Sequence, residues 1–591
     1  MTRNEVENKY KWKLSDMVDS VQTFEKLFKE VDDGLSKLAS YKGKLSDRAA
    51  ALECLKLDDE LGCKFELIYI WSHMYKDEDA KNGEAMGMSM RTDGLACKYG
   101  EASAFISSEL GALDDKVLEG YISDPAFSDF DFALKETARK KAHILSDKEE
   151  RLLAMSSEAL DTTSKVAHML FDADMKFKSV VKDGKKVELN NSSYGELLGD
   201  EDRSVRKSAF NNLYDGYIAH INTLAANYAG NVKADNFIAR ARGYNDCLEM
   251  SMFGDNVPSS VYTNLIDAVN KNFAPLHRYI ALRKKLLGLK SQHMYDLYVP
   301  VVENAEMKLP YEQACETVLA ALAPMGDEYV GLLKRAMTEG WIDVMPNAGK
   351  RGGAYSWSTY STHPYVLLNY APTTEDIFTL AHELGHCLHS YYSQNGQPFS
   401  KWNYQIFVAE VASICNETLL DEYLMKNVKD VNIKKYLLSL RLNRFRTTLF
   451  RQAMFAEFEY NAHKTDLEGK PLTVDNLCGM YLDLNKKYYG DDVVSDDRIA
   501  YEWARIPHFY NAFYVYKYST GMTAATSIAK HILADPSYVD VYKNKFLKAG
   551  GHKSPYEILC DAQVDLATVK PYDDAFAFFN AALDELEELC K

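Results

Sequence analysis

The sequence has 591 residues, of which 47% are hydrophobic, so it is long enough and apolar enough to bury a large core. A net charge of −17 without a strongly basic segment argues against a general nucleic-acid binder, because phosphate backbones are bound mainly by lysine and arginine. The first sixteen residues contain no apolar h-region, no stretch of about eighteen uninterrupted apolar residues follows, and the ten cysteines are scattered without a CxxC pair. We therefore expect a cytoplasmic protein without a membrane partner.

Most of the chain shows apolar residues three and four positions apart, which predicts a mainly α fold. This period is clear in "SVQTFEKLFKEVDDGLSKLASY" near the start and in "KYLLSLRLNRFRTTLFRQAMFAEFEYNA" further on. Two stretches indicate β-structure: a hairpin around Asp183-Gly184, and the aromatic and β-branched run "GAYSWSTYSTHPYVLLNYAP". No repeat or linker marks a boundary, and we place the division after the hairpin, with an N-terminal helical region at 1–195 and a catalytic domain at 196–591.

The run "TLAHELGHCLHS", residues 379 to 390, contains three histidines and one glutamate. A variant of a capping box just upstream predicts a helix that begins near Thr374. His382 and His386 are four residues apart, so both imidazoles lie on one helix face and can bind one metal ion. Glu383 lies about 100° round the helix, where it can take a proton from the attacking water. This is the HExxH arrangement.

His389 follows His386 by three residues and lies on nearly the same helix face. At a rise of 1.5 Å per residue it lies about 10 Å along the axis from His382, too far for one ion that also binds His386. We therefore expect His389 to support or pack against the site. The class of zinc peptidase with a third histidine ten positions after the first is excluded, because that position is Tyr392.

The third ligand is expected on a second helix, predicted for "YQIFVAEVASICNETLLDEYL" after the polar stretch 393–398. Glu410 lies in an apolar run, where an unpaired carboxylate would cost several kcal/mol, and a metal removes that penalty. Glu417 is seven residues further on the same face, so it either ligates instead or orients a ligating histidine. We favour Glu410 as the ligand.

Several segments together make the chain resemble the thimet-oligopeptidase-like zinc metallopeptidases and, within them, the oligoendopeptidase F group. They are "GKRGGAYSWSTY", "FTLAHELGHCLHSYYS", "FVAEVASICNETLL" and "RIPHFYNAFYVYKYSTG". The resemblance implies a mainly α, bowl-like zincin fold that encloses a deep substrate channel, with a small β-sheet beside the active-site helix. It also implies one Zn²⁺ per chain on His382, His386 and Glu410, Glu383 as general base, and cleavage of internal bonds in short unfolded peptides.

The segment after Pro507 places five donors in eleven residues: His508, Tyr510, Tyr514, Tyr516 and Tyr518. Peptide hydrolysis at a single zinc creates an oxyanion, and one well-aimed donor to it contributes about 3 kcal/mol. We expect His508 and Tyr516 to act as such donors, with Tyr514 and Tyr518 as further candidates. The alternative for each tyrosine is ordinary packing. The thimet branch carries a Gly-Gly-Tyr approach to this segment, which the present chain lacks.

The stretch "HPYVLLNY" (363–370) is either an exposed edge strand that adds an extended peptide or a plain core strand. A competing hypothesis for the whole chain is a helical scaffold with a degenerate site, which the absence of stoichiometric zinc would favour. Products from an end-blocked peptide would separate an endopeptidase from an exopeptidase. The expected partners are therefore short peptides, with no nucleic acid and no membrane, and the sequence does not predict an oligomeric state.

Overall fold

A computed structural model describes residues 1–302 and 305–591. The fold is mainly α, as predicted. The α-helices before residue 302 are α1 (Val21–Ala39), α2 (Arg48–Glu78), α3 (Gly83–Ala112), α4 (Asp115–Ser123), α5 (Asp131–Lys140), α6 (Asp147–Leu160), α7 (Thr162–Met169), α8 (Asn191–Leu198), α9 (Arg203–Ala219), α10 (Ile221–Ala241), α11 (Cys247–Asp255), α12 (Ser259–Asn270) and α13 (Phe273–Leu286).

The helices after residue 305 include the two that the histidine run and the glutamate motif predict. They are α14 (Tyr311–Ala321), α15 (Asp327–Thr338), α16 (Thr374–Gly396), α17 (Phe399–Trp402), α18 (Ile406–Asn427), α19 (Val431–Arg444), α20 (Arg451–Leu467), α21 (Val474–Tyr489), α22 (Tyr516–Ala534), α23 (Tyr538–Val541), α24 (Pro555–Asp561) and α25 (Lys570–Leu589).

Some helical segments have a pitch other than α. Among the described residues, three segments are π-helical: Leu170–Asp174, Phe445–Phe450 and Tyr542–Leu547. The second of these joins α19 to α20, so the long helical pattern predicted there is one continuous helical run with a π-helical middle. Two 3₁₀-helices, Asp497–Arg505 and Pro507–Tyr510, lead into the tyrosine-rich segment.

The predicted hairpin is confirmed. β1 (Val180–Lys182) pairs with β2 (Lys185–Val187) in antiparallel register. Asp183 and Gly184 between them have φ angles of 52° and 72°. Positive φ at both central residues is what a two-residue type I′ turn requires, and Asp-Gly accommodates it well.

The second predicted β-region supplies two strands of a three-stranded sheet that packs against α16, and the third strand lies upstream of the predicted region. Its strands are β3 (Ile342–Asp343), β4 (Tyr355–Trp357) and β5 (Tyr365–Leu367). The order is β3-β5-β4, with β3 parallel and β4 antiparallel to β5. The hypothesis that residues 363–370 form an exposed edge strand is therefore wrong, because β5 is the central strand and all three of its residues are buried. The core-strand alternative is correct, and β4 lies at an edge.

The chain forms two compact units, each made of three segments. The first comprises Met1–Ala142, Met307–Lys426 and Ile528–Val564, and the second comprises His143–Glu306, Asn427–Ser527 and Asp565–Lys591. The division after residue 195 stays a prediction. None of the helices within the described ranges combines the length and apolar character that a bilayer crossing requires.

Candidate metal centre

The helix that carries the histidines, α16, begins where its cap predicts. The side chain of Thr373 accepts a hydrogen bond from the backbone N–H of Asp376 at 3.1 Å, which satisfies one of the free donors of the first turn. Three leucines on the helix, at positions 380, 384 and 388, have no exposed surface. This buried side fixes the rotation of α16 and so fixes the direction of the face with His382 and His386.

A close approach of α18 brings the second half of the site to α16. A Cβ atom added to Gly385 would lie 2.5 Å from the Cα of Ser413 and 2.7 Å from the carbonyl oxygen of Ala412. Only glycine therefore permits this packing distance. The amide of Asn416 donates to the carbonyl oxygen of Ala381 at 3.2 Å and ties the two helices together at the same level.

Three ligand atoms from the two helices form a nearly equilateral triangle. The Nε2 atoms of His382 and His386 are 3.2 Å apart, and Oε2 of Glu410 is 3.4 and 3.5 Å from them. A tetrahedral zinc ion with bonds of about 2.0 to 2.1 Å keeps its ligand atoms about 3.3 Å apart. The triangle and its two-nitrogen, one-oxygen donor set fit zinc, and these residues could hold a metal ion.

Glu410 is less buried than its sequence context indicated. Its side chain is 42% exposed, so the desolvation argument for a metal partner has less force than the apolar neighbours suggested. Burial acts to raise the pKa of this carboxyl, but hydrogen bonds with His382 and His386 outweigh it and hold the pKa well below its usual range. Ser413 also donates to Oε2 at 3.2 Å. The carboxylate is thus directed at the histidines by specific contacts.

Glu417 lies on the other side of His382. The Nδ1 atom of His382 lies 2.6 Å from Oε1 of Glu417, and a hydrogen bond donated from Nδ1 to this carboxylate directs the opposite nitrogen, Nε2, at the centre of the triangle. Nε2 would bind a metal ion there after losing its proton. Burial by itself lowers the pKa of His382, but its hydrogen bonds to Glu410 and Glu417 raise that pKa to about 10. Of the two roles considered for Glu417, the geometry matches the orienting one.

Glu383 is buried beside the triangle, with 7% of its surface exposed. Among the described residues, its Oε2 atom has no hydrogen-bond partner. Burial raises the pKa of this carboxyl, opposed by the two histidines. A buried carboxylate oxygen without a partner, beside three groups that could hold a metal ion, is suited to accept a proton from water.

His389 takes no part in the triangle. It is 1% exposed, its ring stacks on that of Tyr404 at 3.7 Å, and burial lowers its pKa to about 3. It therefore stays neutral and packs in the core of the first unit. The expectation of a packing role is confirmed.

The tyrosine-rich segment belongs to the second unit. His508 is exposed, and its Nε2 lies 3.4 Å from the hydroxyl of Tyr518. The ring of Tyr514 is 5.9 Å from that of His508 and 5.7 Å from that of Tyr518. Burial lowers the pKa of His508. The three side chains form one group of donors that is partly open to solvent, which we call the donor cluster.

Tyr516 is not part of the donor cluster. Its side chain has no exposed surface, and its hydroxyl donates to Oδ2 of Asp255 at 3.1 Å. The same carboxylate binds the amine of Lys517. These contacts argue against Tyr516 as an oxyanion donor and favour the packing alternative, because a fully buried hydroxyl cannot meet a substrate. The spacing of the tyrosines does not predict the burial of Tyr516, because the segment forms no α-helix before residue 516.

Gly385 is the functional residue that sequence reasoning missed. A glycine within a helix costs about 1 kcal/mol relative to alanine, so its presence signals a close packing contact. That signal was available in the motif "HELGH", between the two histidines. It would have predicted a helix crossing at this level, and therefore where the third ligand had to come from.

Comparison with known proteins agrees with this site. The family model described as peptidase family M3 matches residues 197–578, and one described as oligopeptidase F matches residues 109–177. The chain is 41% identical to "Oligopeptidase PepF" of Bacillus subtilis, covering 99% of this chain and 88% of that protein. It is 35% identical to "Oligoendopeptidase F homolog" of Borreliella burgdorferi, covering all of both.

Solved structures give the same answer. Oligoendopeptidase-F from Enterococcus faecium superposes with a TM-score of 0.73 at 34% identity, covering 96% of this chain and 99% of that one. A crystal structure from Chlamydophila abortus superposes with a TM-score of 0.94 at 32% identity, covering 100% and 99%. The predicted resemblance is confirmed. The chain belongs to peptidase family M3 and, within it, to the oligoendopeptidase F metallopeptidases, which cleave internal peptide bonds.

Proposed function

We propose that this protein is a zinc-dependent oligoendopeptidase that hydrolyses internal bonds of short, unfolded peptides. One zinc ion is held by His382, His386 and Glu410, and Glu383 is the general base. The observation that carries the proposal is the triangle of ligand atoms with sides of 3.2, 3.4 and 3.5 Å, beside a buried carboxylate oxygen without a partner among the described residues. When bound, zinc supplies a Lewis acid that lowers the pKa of water towards about 7.

Glu383 moves the proton in this mechanism. Its free oxygen accepts a proton from the attacking water, and the same carboxyl returns the proton to the amine that leaves. Burial favours this exchange because a raised pKa makes the carboxylate a stronger base than an exposed glutamate. Glu417 keeps His382 in the tautomer and orientation that the ligand role needs.

The donor cluster, His508 with Tyr514 and Tyr518, stabilises the oxyanion of the tetrahedral intermediate in this proposal. An imidazole or a phenol presents an N–H or O–H donor, and one such donor is worth about 10² to 10³ in rate. What supports the assignment is the exposure of His508 and the arrangement of the two tyrosines against it. Tyr516 is left out because of its burial and its hydrogen bond to Asp255.

The edge strand β4 is the proposed binding place for the substrate backbone. In the described part of the chain, β4 pairs with β5 along one side, which leaves its other side for an added strand. An extended peptide there would take main-chain hydrogen bonds, which select for unfolded substrates regardless of sequence. Cytoplasmic action is part of the proposal, because scattered cysteines without a disulfide framework suit a reducing compartment.

The experiment uses a peptide of about ten residues blocked at both ends. It is incubated with purified protein, with and without a chelator, and the fragments are identified by mass. We expect internal cleavage that the chelator abolishes and that added zinc restores. Undiminished cleavage in chelator, or no cleavage by protein with one zinc per chain, would contradict the proposal.

A further inference from the structure

The segment that carries the donor cluster turns sharply at Phe513. This residue has a φ angle of 57°, in the left-handed region that costs an L-residue about 1 kcal/mol or more. The turn connects the 3₁₀-helix Pro507–Tyr510 to α22. A conformation of this kind persists only where surrounding contacts stabilise it.

Glu459 of α20 supplies one of those contacts. The backbone N–H of Phe513 donates to Oε1 of Glu459 at 2.8 Å, and both residues are buried, with 1% and 0% of their surface exposed. The ring of Phe513 packs against Tyr262 and His463, with centroid distances of 5.4 and 4.7 Å. The carboxyl group therefore holds the backbone of the turn, and the two rings hold its side chain.

A buried carboxyl group at position 459 has a higher desolvation cost than an apolar side chain that serves only for packing. Burial raises the pKa of Glu459 to about 8, although His463 and the Phe513 N–H act to lower it. Among the described residues, its Oε2 atom has no hydrogen-bond partner. An apolar side chain would fill the space with less desolvation cost, so the acceptor at Oε1 is what a glutamate adds here.

The turn sets the direction of the next side chain. Phe513 points into the core, whereas Tyr514 is half-exposed and stacks on His508. Because Tyr514 follows Phe513 directly, a change of the φ angle at Phe513 would rotate Tyr514 away from His508. The carbonyl group before the turn is also held, since Ser251 donates to the oxygen of Ala512 at 3.3 Å.

We propose that Glu459 is a positioning residue for peptide hydrolysis: its hydrogen bond from the Phe513 N–H holds the turn that places Tyr514 against His508. Glu459 itself touches no substrate. The inference rests on the proposed role of the donor cluster. Without the acceptor, the turn relaxes towards negative φ and the donors shift, and a misplacement of about 1 Å costs up to about 10²-fold in rate.

Two substitutions at one position separate the hydrogen bond from the packing. Glu459→Gln keeps a carbonyl acceptor of the same length, and Glu459→Met keeps the volume but removes the acceptor. With an internally quenched peptide, we expect E459M to lower kcat about 10- to 100-fold with KM within about twofold, because the donors act on the transition state. E459Q is expected to stay within about threefold of the unsubstituted enzyme in both constants.

The control is Tyr488→Phe. The Tyr488 hydroxyl donates to Oε2 of Glu457 at 2.8 Å, so this variant removes another hydrogen bond from a buried residue to a glutamate of α20, two residues from Glu459. It is expected to lower the unfolding temperature without a loss of kcat. A loss of kcat in Y488F equal to that in E459M, or an equal loss in E459Q and E459M, would overturn the positioning role.

His508→Ala, measured in the same assay, separates the proposed role of the donor cluster from the proposed positioning role of Glu459. If H508A keeps full kcat, the proposed role of the donor cluster fails and the inference fails with it. If H508A loses kcat while E459M does not, the donors stand and the inference alone is contradicted. If Glu459 acts through this cluster, the double variant E459M/H508A is no more than about threefold slower than H508A.

Hydrogen exchange on the unsubstituted protein covers the case in which E459M fails to fold. A buried, hydrogen-bonded amide at Phe513 is expected to exchange at least about 10²-fold more slowly than an unprotected amide. E459Q should keep that protection. Exchange of the Phe513 amide at the unprotected rate would contradict the hydrogen bond on which the inference depends.

Discussion

The metal centre and the donor cluster are built in different ways. His382, His386 and Glu410 project from the middle of two long helices, α16 and α18, whose buried faces and close crossing at Gly385 fix every ligand atom. The donor cluster lies on a short 3₁₀-helix, a left-handed turn and the start of α22. A regular helix makes side-chain directions follow from spacing, whereas an irregular segment makes them depend on single distant contacts.

Removal of Glu410, the proposed glutamate ligand, should have the largest effect on the activity of the metal centre. We expect Glu410→Ala to lower zinc affinity and to reduce kcat/KM by about 10³-fold or more, because one of three protein ligands and its charge are lost. Zinc content after dialysis and peptide cleavage measure the two effects. Glu422→Ala on the same helix serves as the control and should stay within about twofold; an E410A variant with full zinc and full turnover would break the assignment.

The donor cluster gives the next largest effect. His508→Ala should lower kcat by about 10²- to 10³-fold with little change in zinc content, because it removes a donor to the oxyanion and no ligand. Tyr516→Phe should leave kcat within about threefold and lower the unfolding temperature, since the Tyr516 hydroxyl binds Asp255 in the interior. The reverse ranking of H508A and Y516F would restore the role first predicted for Tyr516.

Loss of the carboxylate that orients His382 should have an intermediate effect. Glu417→Gln is expected to weaken zinc binding about 10- to 100-fold, because the amide no longer enforces the hydrogen bond from Nδ1 of His382. A competition titration with a metal-binding dye measures the affinity. A variant with no measurable zinc site at all would instead assign Glu417 as a ligand.

The helix crossing can be tested by one added methyl group. Gly385→Ala should destabilise the protein by about 1 to 3 kcal/mol and weaken zinc binding, because the new Cβ would meet the backbone of Ser413. The matched control is Gly479→Ala in α21, where nothing lies within 4 Å of the added atom. That variant should be more stable by about 0.5 to 1 kcal/mol. Equal behaviour of G385A and G479A would contradict the close packing.

The smallest effect is expected for His389, which lies outside the proposed ligand triangle. Because the folded-state pKa of His389 is about 3, below its ordinary value of 6.5, the unfolded chain binds an extra proton and stability falls as pH drops below about 6.5. His389→Phe removes that dependence, so the variant should lose less stability between pH 7 and pH 5, by about 1 to 2 kcal/mol. Its cleavage rate at pH 7 should stay within about threefold.

Much of the metal centre could be predicted because it depends on local spacing. The relative positions of His382, His386 and Glu383 follow from helical period alone. The distance along the helix axis from His382 to His389 excludes His389 as a ligand of the same ion. Glu410 and Glu417 lie on one face of α18, so spacing alone does not predict which of them reaches Nε2 of His382. The register of the crossing between α16 and α18 decides it. That register depends on Gly385, which the spacing argument did not use.

The irregular parts could not be predicted in the same way. The sequence predicts Tyr516 as an oxyanion donor, but its hydroxyl binds Asp255, which lies 261 residues away in sequence, and that contact argues against the predicted role. The sequence of residues 363–370 allows an edge strand, yet β3 covers the second side of the strand at 365–367 from a position more than twenty residues upstream. Contacts between distant segments decide both cases, and no local pattern encodes them.

The most direct test of the central claim is to measure zinc content and peptide cleavage together in Glu383→Gln. The substitution keeps the size of the side chain and all three proposed ligands but removes the base. We expect one zinc ion per chain, as in the unsubstituted enzyme, and a kcat about 10³-fold lower. Undiminished turnover by zinc-loaded E383Q would contradict the account.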